Sequence, residues 1–355
     1  MRANNISYVL QALLAALFFG VSAPISKLLL GGVPPVLMAA FLYLGSGIGV
    51  SLVKLIQRIS LRQTEAGIKS PDMKWLAGAI ISGGIAAPIM LMISLKNTPA
   101  STASLLLNFE GVATTLIALF FFRESISRRA LTAILVITLA SIFLSTNFKG
   151  GFGFSLGALG VLLACVLWGV DNNLTRNISA KDPLTIVAWK GLVAGLFSLT
   201  LGLLLGQRLP SLTTVLSILL LGFISYGLSI VLFIYSMRGL GAARTSALYG
   251  TAPLAGVLLS ILIFKDPITL LFGVAAVLMV AGALLLANEE HAHFHIHMPV
   301  VHEHRHSWTD EFHQHEVSDE TGRKSHSHEH EHPRTEHEHG HMPDIHHRHG
   351  HEDKS

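Results

Sequence analysis

No histidine occurs in the first 290 residues, although the 355-residue chain contains 20. The body of the protein therefore lacks imidazole for metal ligation, proton relay or nucleophile activation. It has one cysteine, Cys165, which excludes an intrachain disulfide and a thiolate metal cluster. Cys165 reads as a small core residue. Acidic side chains are scarce as well: up to Ala287 there are 7 Asp and Glu against 19 Lys and Arg, and beyond it the balance reverses to 15 against 6. The formal charge of +3 thus averages a basic body and an acidic appendage. No nucleic-acid motif, nucleotide-binding loop or catalytic constellation is present, so neither an enzyme nor a nucleotide-driven pump is expected, and no bound cofactor is required.

What the body has is apolar length. The chain is 51% hydrophobic and only 13% charged, even with its polar end included. Crossing about 30 Å of hydrocarbon takes roughly 20 apolar helical residues. Ten segments meet this, near 8–30, 34–56, 75–94, 101–122, 129–147, 155–177, 183–206, 213–235, 242–264 and 268–287. Breakers separate several of them: Gly31-Gly32-Val33-Pro34-Pro35, Lys149-Gly150-Gly151, Lys181-Asp182-Pro183 and Lys265-Asp266-Pro267. Val21-Ser22-Ala23 imitates a signal-peptide cleavage site, but Pro24 follows it, and the same stretch recurs later as an ordinary span.

The recurrence is an internal repeat. SLKNTPASTASLLLNFEGVATTLIALFFFRESI, from Ser94, aligns without gaps on SMRGLGAARTSALYGTAPLAGVLLSILIFKDPI, from Ser236, at an offset of 142. LLAALFFGV from Leu13 matches LLACVLWGV from Leu162 at an offset of 149. Five spans per copy, an odd number, turn the second copy upside down relative to the first. With the N-terminus inside, 13 Lys and Arg fall on the cytoplasmic side and 5 on the other, which predicts cytoplasmic N- and C-termini in a multi-pass protein of the cell membrane. The expected units are residues 8–147, 155–287 and a disordered tail, 288–355.

On this tandem repeat, on LLACVLWGV, and on the small-residue fourth span of each half ending in Arg-Glu or Lys-Asp, the chain resembles the EamA-type members of the drug/metabolite transporter superfamily. The resemblance covers about residues 8–287. It implies an all-α membrane protein of ten transmembrane helices in two inverted five-helix repeats, moving a small metabolite or drug-like solute by alternating access. It also implies a basic residue, here Lys190, near the substrate cavity. Many relatives carry proline midway along the fourth span of each half. Pro253 fits, whereas the first half has Glu110-Gly111.

An ionisable side chain deep in a bilayer costs at least about 2.5–3.5 kcal/mol on insertion scales, so it needs a partner, a cavity or a task. Glu110, Asp171 and Lys190 qualify. Glu110 lies about 13 Å into the fourth span. Asp171 and Lys190 share a level on consecutive spans. One reading makes Asp171, Asn172, Asn173 and Lys190 a polar cavity wall, with Glu110 accepting a proton or cation across the midplane. The other is a structural Asp171–Lys190 pair, with Glu110 capped by Asn108 or Thr114. Dense glycine in the second, third and seventh spans predicts close helix packing. Pro24, Pro88 and Pro253 predict kinks that serve as hinges. Tyr43, Tyr226, Tyr249, Trp168 and Trp189 are core, interface or cavity aromatics.

In the tail, histidine alternates with small or acidic residues. The runs hold His291, His293, His295 and His297; His302, His304 and His306; His328, His330 and His332; His337, His339 and His341; and His346, His347, His349 and His351. Alternation places successive imidazoles on one side of an extended strand, a donor set suited to Zn, Ni, Co or Cu. HEHRH, HEHEH and HEHGH match the zincin pattern formally, but the prolines and glycines around them deny the packed helix a peptidase needs. Metal buffering or sensing, metal exchange with the pore, and a pH-responsive polyelectrolyte all remain open for the tail. The expected partners are the lipid bilayer, a small-molecule substrate and transition-metal ions on the tail, with no nucleic acid. A divalent transition-metal transporter is the rival reading, against which the body offers no histidine.

Overall fold

The computed structural model describes residues 2–61, 67–122, 128–147, 153–178, 181–240, 248–287, 291–297, 300–307, 325–332 and 335–341. Helices occupy all ten expected positions. Seven are long and apolar enough to cross a bilayer: Ile6–Leu29, Pro35–Gln57, Ser70–Lys96, Ala100–Phe121, Leu156–Arg176, Pro183–Leu204 and Leu212–Ser236. Shorter apolar helices, Leu131–Leu144, Ala252–Phe264 and Leu270–Leu285, form the fifth, ninth and tenth. Residues 241–247, where the ninth span was expected to begin, lie outside the described residues. Leucine is the commonest residue because lipid solvates one side of each helix while every backbone bond must close internally. Phe121, Leu262 and Leu270 accordingly stand exposed, while Leu37, Leu42, Leu91 and Leu105 are fully buried.

The two halves interlock. The first span packs on the eighth and the sixth on the third; the second crosses the seventh and the fifth lies against the tenth. Each relation maps onto another or onto itself when the halves are exchanged, as inverted repeats require. A two-residue antiparallel pairing of Thr146–Asn147 (β1) with Gly153–Phe154 (β2) joins the halves. At the loops, Lys27 Nζ donates to the Leu95 carbonyl at 2.8 Å, and Asp266 accepts from the Ser101 hydroxyl at 2.7 Å. Asp182 caps the seventh span through Leu184 N–H at 3.0 Å and pairs with Lys54 at 2.7 Å.

Glycine sets how closely the central helices approach. A Cβ on Gly191 would lie 2.5 Å from the Gly47 nitrogen, and one on Gly222 would lie 2.0 Å from the Leu42 carbonyl oxygen. Backbone cannot yield as a flexible side chain can, so the helices must separate. Gly222→Ala is expected to destabilise the detergent-solubilised protein by about 1–3 kcal/mol, the usual cost of overpacking, as a lowered thermal unfolding midpoint. An unchanged midpoint would show that the eighth and second spans do not meet there.

The helices are irregular at matched places. Ile80–Ala86 in the third span and Phe223–Leu228 in the eighth are π-helical. The bonds closing them, Ala87 N–H to Ser82 O and Ser229 N–H to Ile224 O, are equivalent at the repeat offset of 142. The fourth and ninth spans are each interrupted. One breaks between Ala100–Leu106 and Phe109–Phe122, and the other turns at Gly250–Thr251 before Ala252–Phe264. Among the prolines, Pro24 follows a turn at Val21, Pro88 follows the π segment, and Pro253 opens the second part of the ninth span.

In the tail the described stretches are four strands: His291–His297 (β3), Val300–Ser307 (β4), Ser325–His332 (β5) and Thr335–His341 (β6). β3 pairs antiparallel with β6, and β4 with β5.

Candidate functional site

The break in the fourth span fixes Glu110. Leu107 and Asn108 form the turn, and the new helix starts at Phe109, which places Glu110 in its first turn. There the positive end of the helix dipole favours a carboxylate. The sixth span lies against this point because Gly169 lets it approach: a Cβ there would sit 2.9 Å from the Thr114 nitrogen. Asn172 Nδ2 donates to Glu110 Oε1 at 2.9 Å and to Thr114 Oγ1 at 3.1 Å. Asn173 Nδ2 donates to the carbonyls of Thr114, at 3.0 Å, and Gly169, at 2.8 Å. The Thr114 hydroxyl is turned back to the Glu110 carbonyl at 2.8 Å. Neither expected cap of the Glu110 carboxylate is therefore used, since the donor is Asn172 from the other half. Asn108 sits in the turn, where its backbone N–H reaches the Leu105 carbonyl at 3.1 Å. Among the described residues no salt bridge reaches Glu110.

One residue before Asn172, Asp171 is buried at 3% exposure and turns to the third and seventh spans. Its Oδ2 is paired with Lys190 Nζ, and its Oδ1 accepts from the Thr175 hydroxyl at 2.9 Å. Gly83, in the π-helical stretch of the third span, makes room for this carboxylate, since a Cβ there would lie 1.9 Å from Oδ2. A π segment also alters which carbonyls are free, and that of Gly83 accepts from Tyr43 Oη at 2.6 Å and Trp168 Nε1 at 3.0 Å. So Asp171 and Lys190 meet as the sequence suggested, and Asn172 and Asn173 tie Glu110's helix to theirs.

The pseudo-symmetric counterpart of this polar cluster is aromatic. Tyr43 and Tyr226 have ring centroids 5.6 Å apart, and Phe19 lies 6.1 Å from Tyr226 and 5.6 Å from Tyr249. Phe233 packs on Tyr249 at 4.8 Å. Polar groups come from the third, fourth, sixth and seventh spans, and rings from the eighth, ninth, first and second. Tyr43 belongs to both clusters, through its ring and its hydroxyl. Trp189 is apart from them, 55% exposed beside Lys54 and Thr185. Gly83 and Thr175 escaped the sequence reading of the site, and Tyr43 and Thr114, which it named, take partners it did not give them. The alignment of the halves held a signal for the break, because Pro253 falls opposite Gly111.

Of the tail histidines, His291, His293, His295, His297, His302, His304, His306, His326, His328, His330, His332, His337, His339 and His341 lie in the strands, whereas His313, His315, His346, His347, His349 and His351 fall outside the described residues. Among the residues whose side chains are described, no group of three or more His, Cys, Asp or Glu could hold a metal ion.

Interrupted helices meeting polar groups where two inverted halves join are the architecture of a multi-pass membrane transporter. The model of the EamA-like transporter family matches residues 6–146 and 155–288, and the chain belongs to that family. A protein of Methanothermobacter thermautotrophicus (strain ATCC 29096 / DSM 1053 / JCM 10044 / NBRC 100330 / Delta H), described as an uncharacterized transporter, is 27% identical over 288 residues, covering 77% of this chain and 83% of its own. One solved crystal structure shares the fold with a TM-score of 0.59 at 22% identity, over 79% of this chain and 95% of its own.

Proposed function

We propose that this is a secondary transporter of the cell membrane with both termini in the cytoplasm, exporting or exchanging a small solute by alternating access. The observation that carries the reading is Glu110, a carboxylate at the start of a broken helix whose hydrogen-bond donor, Asn172, comes from the opposite half. A neutral amide leaves the carboxylate free to exchange a proton or cation. A buried ion pair on one side and tilted and edge-on aromatic rings on the other suit a solute with a polar or charged head and an apolar, often aromatic, body. The matched π segments and broken helices supply hinges, because their looser hydrogen bonding bends at lower cost than continuous α-helix. The tail, in this reading, binds Zn, Ni, Co or Cu in the cytosol and serves regulation, outside the transport path.

The test compares a deletion strain with one lacking only residues 291–355. The full deletion is expected to cause sensitivity to a small metabolite, and tail loss alone to spare that resistance. Metal sensitivity from the full deletion alone would favour direct metal transport through the body.

A further inference from the structure

Twelve of the tail histidines are opposed in register, in six pairs. Between β3 and β6, His291 lies opposite His341, His293 opposite His339 and His295 opposite His337. Between β4 and β5, His302 lies opposite His330, His304 opposite His328 and His306 opposite His326. Both ladders keep one register, although each arm carries a proline between its two strands, Pro299 and Pro333. Proline cannot donate to a ladder, so an interruption there is expected.

Opposed positions of an antiparallel pair share a face, with Cα atoms about 4.5–5.5 Å apart, and every second residue returns to that face. Each ladder therefore collects three histidine pairs on one face. The partner across the ladder is nearer than the next histidine along the strand, which is about 6.5 Å away. The register supplies little else to hold the ladders closed. A two-stranded ribbon is marginal in water, and like charges directly opposite, as at Glu303 and Glu329, work against it. Phe294 and Ile296 stand opposite Glu338 and Glu336, so the second face contributes no apolar pairing there. Ligand binding to the paired state alone would stabilise it, and neutral imidazole is a strong donor for borderline divalent ions.

We infer that each opposed histidine pair is a two-imidazole chelate for a divalent transition-metal ion, and that metal clasps the two arms of the tail in this register. The inference rests on the reading of the tail as metal-binding and adds which histidines act together. His297, opposite Thr335, and His332, opposite Val300, have no histidine partner in the ladders and serve as controls.

The test titrates full-length protein in detergent with Zn²⁺ against a chromophoric chelator. His293→Gln and His339→Gln should each remove one bound ion per chain, and the double variant should remove no more than either. Combining His293→Gln with His304→Gln, from different pairs, should remove two, and His297→Gln should remove none. Losses that follow only the number of histidines replaced, whatever their pairing, would overturn the paired chelate while leaving metal binding intact. Equal Zn²⁺ binding by the full chain and by a variant lacking residues 291–355 would overturn both.

Discussion

Glu110→Gln is expected to reduce gradient-driven transport in reconstituted vesicles to the level of protein-free vesicles, while the protein expresses and unfolds as the parent does. Glutamine keeps the shape of the side chain and an oxygen able to accept from Asn172, now at 2.9 Å from Glu110 Oε1. It cannot take up a proton or neutralise a cation. Packing around the position therefore survives, and only the chemistry of the carboxylate is removed. Because a neutral amide is its donor, there is no buried cation for the substitution to strand, in contrast to the neighbouring pair. Driven uptake and substrate exchange without a gradient, measured side by side, locate the defect. Loss of driven uptake with retained exchange assigns Glu110 to coupling, loss of both assigns it to solute binding, and unchanged driven uptake removes it from the mechanism.

The fold was legible because lipid imposes a strong rule: about twenty apolar residues per crossing, repeated ten times, with an offset that reveals the duplication. Asp171 and Lys190 were legible for the same reason, since two opposite charges at one depth in hydrocarbon have few options other than each other. The matched irregularities were hidden. A π segment inserts one residue into a helix without changing hydropathy, so Ile80–Ala86 reads like any apolar stretch. The break before Glu110 was hidden because the first half lacks the proline that marks the ninth span, and only the aligned Pro253 betrayed it. Asn172 as the partner of Glu110 was beyond the sequence for another reason. Contact between residues 62 positions apart depends on how the halves interlock, and Gly169 permits that approach without announcing its neighbour.

Asp171→Asn or Lys190→Met alone is expected to destabilise the protein by about 3–5 kcal/mol, because each strands one uncompensated charge in a buried site. The Asp171→Asn/Lys190→Met double variant removes both charges and should recover most of that loss. Exchanging the two charges is a poorer test than removing them. Asp171 Oδ2 lies 1.9 Å from where a Cβ on Gly83 would stand, and lysine at position 171 has no such room. Asparagine fits the space and can still accept from the Thr175 hydroxyl, now 2.9 Å from Asp171 Oδ1. Stability and transport then separate the two roles of the pair. If Asp171 and Lys190 only orient the sixth and seventh spans, transport returns together with the unfolding midpoint. If they form the charged wall that receives the solute's polar head, the midpoint returns and transport does not. The second outcome is expected, because Asp171 packs against Gly83, whose carbonyl accepts from Tyr43 and Trp168, and Tyr43 is where the polar and aromatic clusters meet. Uptake in vesicles and thermal unfolding in detergent, taken on the same preparations, decide between them.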